Sequence, residues 1–502
     1  MKLLFGLFAA GFASELLLYS TSFFWRMRKV LVALGIVCNG LACGILVLWR
    51  VDLWSVLLVF IMVYRLFNNF RVIQGRMHEA FLRRATRHTA MSLVAMQVAI
   101  ALLWTGWGQW HHPSLAALWL GGTALECVAG VTLLVATVRQ LRRSVWPTAL
   151  PKMREGELPT ITVAIPARNE TEDLQICLES IIASNYPKLE IIVLDDRSQL
   201  RRTPEIIRSF AHDGVRFVLG DEPDQTWLPK NLAYAKLVRE ASGQLIVFCG
   251  ADVRFAPDTL RQLVDFMQDR NKQMVSILPE REQSARARFA LIQAERYWWE
   301  LALPRRFFNR PPVLSTFWAI DAQALHKAGG FQAVSRSIVP EAYFAKRLLA
   351  QDGYSFMRAG QTLGVTSAKQ APDQRDTAVR MRYPQLHRRP ENVCITVLSE
   401  CGLLLLPFVL VPAGFWIHSM PIAAHLLALA ASVLLLVGYA LIAVSVSVHT
   451  WLLGFISMPF AMLVDLGLLH YSMWRYEFST VEWKGRNISL PAMHVIPHLP
   501  EI

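Results

Sequence analysis

The stretch GQLIVFCGADVRFAPDTL, residues 243–260, carries an apolar run into a glycine and then a single acid, Asp252. A carboxylate so placed can hold a divalent cation, a hard ion that takes oxygen ligands and bridges phosphates. Two other apolar runs stop in the same way. ITVAIPARNE (161–170) ends in Arg168, Asn169 and Glu170, and LEIIVLDDRS (189–198) runs into Asp195 and Asp196. Asp195 or Asp196 can accept hydrogen bonds from a base or a ribose hydroxyl. Singly, each acid is equally an ordinary turn or helix-cap residue. Together, at successive strand ends, they favour a nucleotide-diphosphate site with Asp252 as its metal-binding acid.

The elements that must position these groups alternate between strand and helix. After ITVAIPA, the stretch TEDLQICLESIIASNYP spaces Leu174, Cys177, Leu178, Ile181 and Ile182 as one face of a helix. LEIIVLD is a second strand, TPEIIRSFAHD a helix, VRFVLG a third strand, NLAYAKLVREASG a helix and LIVFCGAD a fourth strand. Near-continuous Val/Ile/Leu strands separated by helices predict a mostly parallel sheet covered on both faces. Ligands of such sheets bind outside the carboxyl ends of the strands, so the polar groups ending these runs open onto one crevice.

The rest of the chain is of another kind. Of 502 residues, 54% are hydrophobic, too many for one soluble domain. The excess is gathered near 29–49, 52–66, 90–109 and 114–138, and again near 394–417, 420–447 and 450–473. Each stretch is long enough, or nearly so, to cross a hydrocarbon core of ~30 Å as a helix. A membrane bundle over 1–145, a domain over 150–392, membrane segments over 393–474 and a tail over 475–502 follow from this segregation. The opening MKLLFGLFAAGFAS has the outline of a secretory signal, but Arg26, Arg28 and Lys29 behind it outweigh Lys2 in front. That balance favours a retained segment with its back end inside.

The stretches 70–88 and 139–144 are strongly basic, whereas WGQWHHPS (107–114) has no Lys or Arg. Placing the basic stretches inside puts residues 150–390 in the cytoplasm and the protein in the plasma (inner) membrane. The net charge of +13 is then largely a membrane-surface feature, with anionic lipid as partner. Nucleic acid is the weaker reading and is not expected as a partner, because no nucleic-acid module is recognisable and the basic residues flank the spans. The seven cysteines include no C-x-x-C pair and read as small core residues.

On these residues the chain from about 160 to 390 resembles the family 2 glycosyltransferases. IPARNE resembles their opening strand and turn, VLDDRS their base-binding acids, WLPKN (227–231) their lysine-bearing turn and AGGF (328–331) the loop before their catalytic acid. VEWKGRN (481–487) is similar to the closing motif of membrane-bound members acting on lipids, such as ceramide and carotenoid glucosyltransferases. The resemblance implies an α/β nucleotide-diphospho-sugar transferase-like (Rossmann-like) fold with transmembrane helices on both sides. It assigns Pro166, Ala167, Arg168, Asn169, Glu170, Asp195, Asp196 and Lys230 to the nucleotide, and Asp252 to a divalent cation, Mg²⁺ or Mn²⁺. Where the family has Asp-x-Asp this chain has Gly250-Ala251-Asp252, which keeps the directly ligating acid and predicts weakened metal binding.

VPEAYFAKRLL (339–349) puts Pro340 and Glu341 on the family's acidic pair, so the resemblance makes Glu341 the base that deprotonates the acceptor hydroxyl. By spacing alone Glu341 is equally a first-turn acid favoured by the helix dipole. YPQLHRRPEN (383–392) resembles the Q-x-x-R-W motif with Arg in place of Trp. This assigns Gln385, Arg388 and Arg389 to the acceptor and the leaving diphosphate, and the lost aromatic platform argues against processive synthesis. Residues 285–310 mix Arg with aromatics as an interfacial helix does, serving either as a lipid mouth or as packing on the bundle.

The resulting expectation is a membrane-embedded inverting transferase. It moves a sugar from a nucleotide-sugar, UDP-linked, to a lipid or lipid-linked acceptor at the cytoplasmic face. A polysaccharide synthase and a non-catalytic nucleotide-sugar or lipid binder are the alternatives, the latter supported by Gly250 and Pro340. Three crossings after the domain would leave the basic tail outside. The segment 394–417, with Glu400, Pro407 and Pro412, is therefore expected not to cross.

Overall fold

A computed structural model describes residues 2–20, 27–49, 53–74, 97, 115–224, 226–282, 297–300, 311–369, 371–386, 388–446, 451–478 and 480–488. The expected segment 90–109 lies outside these residues apart from Gln97, and so does most of 285–310. On the N-terminal side are α1 (Lys2–Ser20), α2 (Arg28–Trp49), α3 (Leu53–Gln74) and α4 (Leu115–Arg143). The domain follows with β1 (Ile161–Ala167), α5 (Glu172–Ile182), β2 (Leu189–Asp195), α6 (Arg202–Ser209), β3 (Val215–Leu219) and α7 (Pro229–Glu240). It continues through β4 (Leu245–Cys249), β5 (Val253–Arg254), α8 (Thr259–Asp269), β6 (Met274–Leu278), β7 (Glu280–Arg281), β8 (Phe317–Asp321) and α9 (Ala322–Lys327). Next come α10 (Pro340–Leu349), β9 (Tyr354–Arg358), β10 (Thr366–Ser367) and α11 (Ala371–Gln385). After these stand α12 (Pro390–Ser399), a π-helical turn over Glu400–Leu405, α13 (Leu406–Ala413), α14 (Ile422–Val446), α15 (Trp451–Phe478) and a hairpin of β11 (Glu482–Trp483) and β12 (Arg486–Asn487).

Seven strands form the main sheet in the order β3-β2-β1-β4-β8-β6-β9. β3, β2, β1 and β4 run parallel, as their apolar runs predict; β8 is antiparallel to both β4 and β6, and β9 is parallel to β6. Side chains alternate between the two faces of a strand, so both faces need cover. Val163 and Ile165 of β1 join one buried cluster with α5 and α8, and Ala164 joins the other. That second cluster runs from Phe248 and Trp318 through Trp298 into Tyr439 and Ile442 of α14, and Trp298 Nε1 donates to Thr137 Oγ1 of α4 at 2.8 Å. The domain is thereby seated on the apolar helices. Arg358 of β9 adds a polar tie, donating to Ser144 Oγ and Leu141 O at 3.0 Å at the end of α4.

Strand order reverses about β1, whose neighbours are β2 and β4, and the carboxyl ends of these strands leave the crevice where ligands of open α/β sheets bind. Among the described residues, five helices are long and apolar enough to cross a membrane: Arg28–Leu48, Ala116–Arg143, Asn392–Ala413, Ile422–Ser445 and Ile456–Phe478. They coincide with five of the expected segments. Ser55–Phe67 is a shorter apolar helix. All seven cysteines are free.

Candidate active site

A cavity of about 320 Å³ opens at the carboxyl ends of β1 and β4. Pro166, Glu170, Gly250, Ala251 and Asp252 line it from those ends, Leu228, Lys230 and Tyr234 from the start of α7, and Asp373, Asp376, Thr377, Arg380 and Met381 from α11. The hairpin closes it with Glu482, Trp483 and Lys484.

Asp252 stands where β4 turns into β5, and its Oδ2 accepts a hydrogen bond from Ser367 Oγ at 2.7 Å. Ser367 is set there by β10, which pairs antiparallel with β5 and parallel with β7, and Arg281 Nη1 donates to its hydroxyl at 3.0 Å. A Cβ added at Gly250 would lie 2.5 Å from Asp252 Oδ1, so the missing first acid leaves room that the second carboxylate fills. No group of three His, Cys, Asp or Glu suited to a metal occurs among the described residues. Mg²⁺ is commonly held by one or two carboxylates plus substrate phosphates. Asp252, with Glu170 near enough for its charge to be felt, therefore fits a cation that arrives with a diphosphate rather than one caged beforehand.

The acids expected to meet the nucleotide are engaged by the C-terminal hairpin. Arg486 Nη1 donates to both oxygens of Asp196 at 2.8 and 2.7 Å, and Lys484 pairs with Glu170. Arg168 Nε donates to Lys484 O at 2.9 Å, while its Nη1 donates to both Asp196 O and Arg197 O. Burial raises the pKa of both carboxyls, and the facing cations, Lys484 at Glu170 and Arg486 with Arg168 at Asp196, oppose that rise. The hairpin turns at Lys484 and Gly485, with φ of 46° and 79°, the left-handed pair that a two-residue type I′ turn needs. Asn169 and Asp195 shape the neighbouring loop. Asn169, at φ 51°, accepts the N–H of Gln199 at 2.8 Å, and Asp195 accepts that of Ser198 at 3.0 Å. Ala167 is buried and accepts the N–H of Asp196 at 2.8 Å.

Lys230 lies over the ring of Tyr234 at 5.2 Å; burial lowers its pKa, and the nearby charge of Glu341 opposes that shift. Glu341 sits in the first turn of α10, 1% exposed, beside Lys230 and Tyr234 and behind the cavity lining. Asn231 holds the preceding loop in place, its Nδ2 within 2.7–3.0 Å of the carbonyls of Val334, Ser335 and Ser337. The last residues of WLPKN thus place both the lysine and the acid.

Gln385, Arg388 and Arg389 do not line the cavity. Gln385 donates to Glu300 at 3.2 Å, Arg388 packs its guanidinium 4.2 Å from the ring of Tyr476, and Arg389 is exposed before α12. The reason is helical period. The cavity face of α11 recurs at 373, 376, 377, 380 and 381, and the helix ends at Gln385 before the row can reach Arg388. Arg380 is the cation this segment presents. The polar stripe Asp373, Asp376, Thr377, Arg380 was visible at helical spacing; Ser367, distant in sequence from Asp252, left no such signal.

The glycosyl transferase family 2 model matches residues 162–329. The chain is 33% identical over 99 residues to glycosyltransferase AglE of Haloferax volcanii, 19% of this chain and 31% of that one. It is 33% identical over 122 residues to a 4,4'-diaponeurosporenoate glycosyltransferase of Staphylococcus aureus, 24% of this chain and 32% of that one. These matches span about a third of either relative's length. Among solved structures, a Pyrobaculum calidifontis mannosyltransferase in complex with GDP-Man and Mn²⁺ aligns with a TM-score of 0.43 and 19% identity, over 72% of this chain and 98% of that one. The segment that builds β1 to β8 and the crevice at their ends is a glycosyl transferase family 2 domain.

Proposed function

We propose that this chain is a membrane-embedded inverting glycosyltransferase that moves a sugar from a nucleotide-sugar, UDP-linked, to a lipid or lipid-linked acceptor at the cytoplasmic face of the plasma membrane. The observation that carries this reading is the composition of one cavity. It joins Asp252 at a strand end and Lys230 at the start of α7 to Leu228, Ile338, Trp483 and Ile488, which belong to or pack on an apolar cluster shared with α3, α12 and α15. A polar donor end and an apolar acceptor end thus meet in a single site. The basic stretches, which favour the domain inside, also suit anionic lipid at the membrane surface.

In the reaction, the acceptor hydroxyl oxygen attacks the anomeric carbon of the donor sugar and gives its proton to a carboxylate oxygen of Glu341. The bond from that carbon to the diphosphate oxygen breaks, its electron pair leaves with the nucleoside diphosphate, and one displacement inverts the configuration. Lys230 and Arg380 offset the charge that develops on the leaving group, where fixed cations help most. Asp252 would hold a divalent cation, Mg²⁺ or Mn²⁺, which would supply further positive charge at that diphosphate. Nucleotide contacts come from Pro166 and Glu170 at the lining, with Ala167, Arg168, Asn169, Asp195 and Asp196 shaping the loops behind.

The test is transfer by the purified chain in lipid nanodiscs made from native membrane extract, supplied with labelled UDP- and GDP-sugars. Label is expected in the organic phase with at least one donor. A second reading, nucleotide-sugar binding without turnover, is favoured by Gly250 and by the hairpin's hold on Glu170 and Asp196. Tight nucleotide binding with neither transfer nor donor hydrolysis would establish it instead.

A further inference from the structure

We propose that Trp483 of the C-terminal hairpin is the platform on which the acceptor rests, supplying the aromatic surface that the segment 385–389 lacks. This rests on the lipid-acceptor reading above and names the residue that serves it.

The hairpin has anchors besides Trp483, which itself packs on the edge of the apolar cluster. Val481 and Ile488 are buried, Ile488 N–H donates to Val481 O at 2.8 Å, and Arg486 and Lys484 hold the acids of the domain. Trp483 is instead half-buried and lines the cavity. The guanidinium of Arg380 lies 5.7 Å from its ring centroid, so a fixed cation orients the indole. Leu228 and Ile338 line the same end, and the apolar cluster behind continues into Ile61 and Tyr64 of α3 and Leu469 and Met473 of α15. A ring between a polar donor pocket and an apolar cluster fits an amphipathic molecule, since indole offers a large apolar face with one polar edge. The chemical class of the acceptor is therefore a hydroxyl-bearing lipid, its head toward Lys230 and Glu341 and its chain toward α3 and α15.

Two measurements test this. Benzoylphenylalanine in place of Trp483, in the full chain reconstituted with total lipid extract of its native membrane, is expected to give a lipid adduct by mass spectrometry after illumination. Leu426, exposed on α14, serves as the membrane-facing comparison. An adduct at 426 with none at 483 would overturn the proposal. Because the adduct forms without turnover, failure of the transferase reading and failure of this assignment are separate results. In transfer assays on the same extract, Trp483→Leu is expected to raise the acceptor KM roughly tenfold, with Trp483→Phe near the unaltered chain and the donor KM unmoved. A Leu variant that raises only the donor KM, or a Phe variant as impaired as Leu, would assign the ring to the donor or to hairpin packing instead.

Discussion

The proposed reaction gives two carboxylates separate tasks, Asp252 at the cavity lining and Glu341 buried behind it, and their substitutions should separate accordingly. Asp252→Asn keeps the shape of the side chain and its contact with Ser367 while removing the charge that holds a cation. It is expected to abolish transfer and to make nucleotide affinity indifferent to Mn²⁺. Metal-dependent turnover in that variant would count against the metal assignment. Glu341→Gln is expected to lower turnover by roughly 10²-fold or more with nucleotide affinity intact, the scale of a lost general base. A loss confined to nucleotide affinity would reassign Glu341 to the support of Lys230, whose charge it faces. Gly250→Asp restores the family's first acid. The atom in its way is the free end of the Asp252 side chain, which can turn aside. Tighter Mn²⁺ binding is the expected result, read by the metal dependence of nucleotide-induced thermal shifts.

Among the elements, the hairpin is the one that pairs with the acids at the crevice, Lys484 with Glu170 and Arg486 with Asp196. Burial leaves Glu170 with a pKa above its ordinary value of 4.5, so the folded chain holds that proton more readily than the unfolded one. The stability this contributes fades as pH rises through the folded value. Lys484 attracts only the ionised carboxylate, and Lys484→Met raises the folded pKa further. The gap in melting temperature between the unaltered chain and Lys484→Met is therefore expected to be small near pH 4 and to widen with rising pH. By neutral pH it should correspond to a loss on the order of 1 kcal/mol, as for a partly exposed pair. A gap that is constant across this range would show that Lys484 acts through its aliphatic stem alone. The hairpin's two-residue turn was legible in Lys484-Gly485, because glycine adopts positive φ without strain. Its partners, Glu170 and Asp196, lie about 300 residues away and left no local trace.

For the whole molecule, a tail docked on the domain shares the domain's side of the membrane. Three apolar segments separate Pro390 from Val481, so an even number of them crosses. The segment over 392–413 is the one expected to stay on the near side: Arg382 of α11 lies 3.7 Å from Glu400, within a π-helical turn that interrupts the α-helix. The guanidinium of Arg382 pairs with Asp465 of α15 as well as lying near Glu400, so what sets this segment apart is its irregular backbone, which is tolerated where protein covers it. In a cysteine-free background, Glu482→Cys and Lys152→Cys are expected to react alike with an impermeant thiol reagent, and only after the inner face is exposed. Labelling of residue 482 alone from outside would break the hairpin arrangement and remove the tail from the site.

The sequence by itself determined what depends on short range. Continuous Val/Ile/Leu runs required strands buried on both faces, long uncharged runs required apolar helices, and acids following β2 and β4 marked the strand ends. Tertiary structure alone decided which charges meet. Helical period put Arg380 rather than Arg388 on the cavity, because α11 ends before its face returns. Pairing of β10 with β5 delivered Ser367 to Asp252, and docking of the hairpin gave Arg486 to Asp196. Those contacts join residues far apart in the chain, where local pattern carries no information and only the closed fold brings charge to charge.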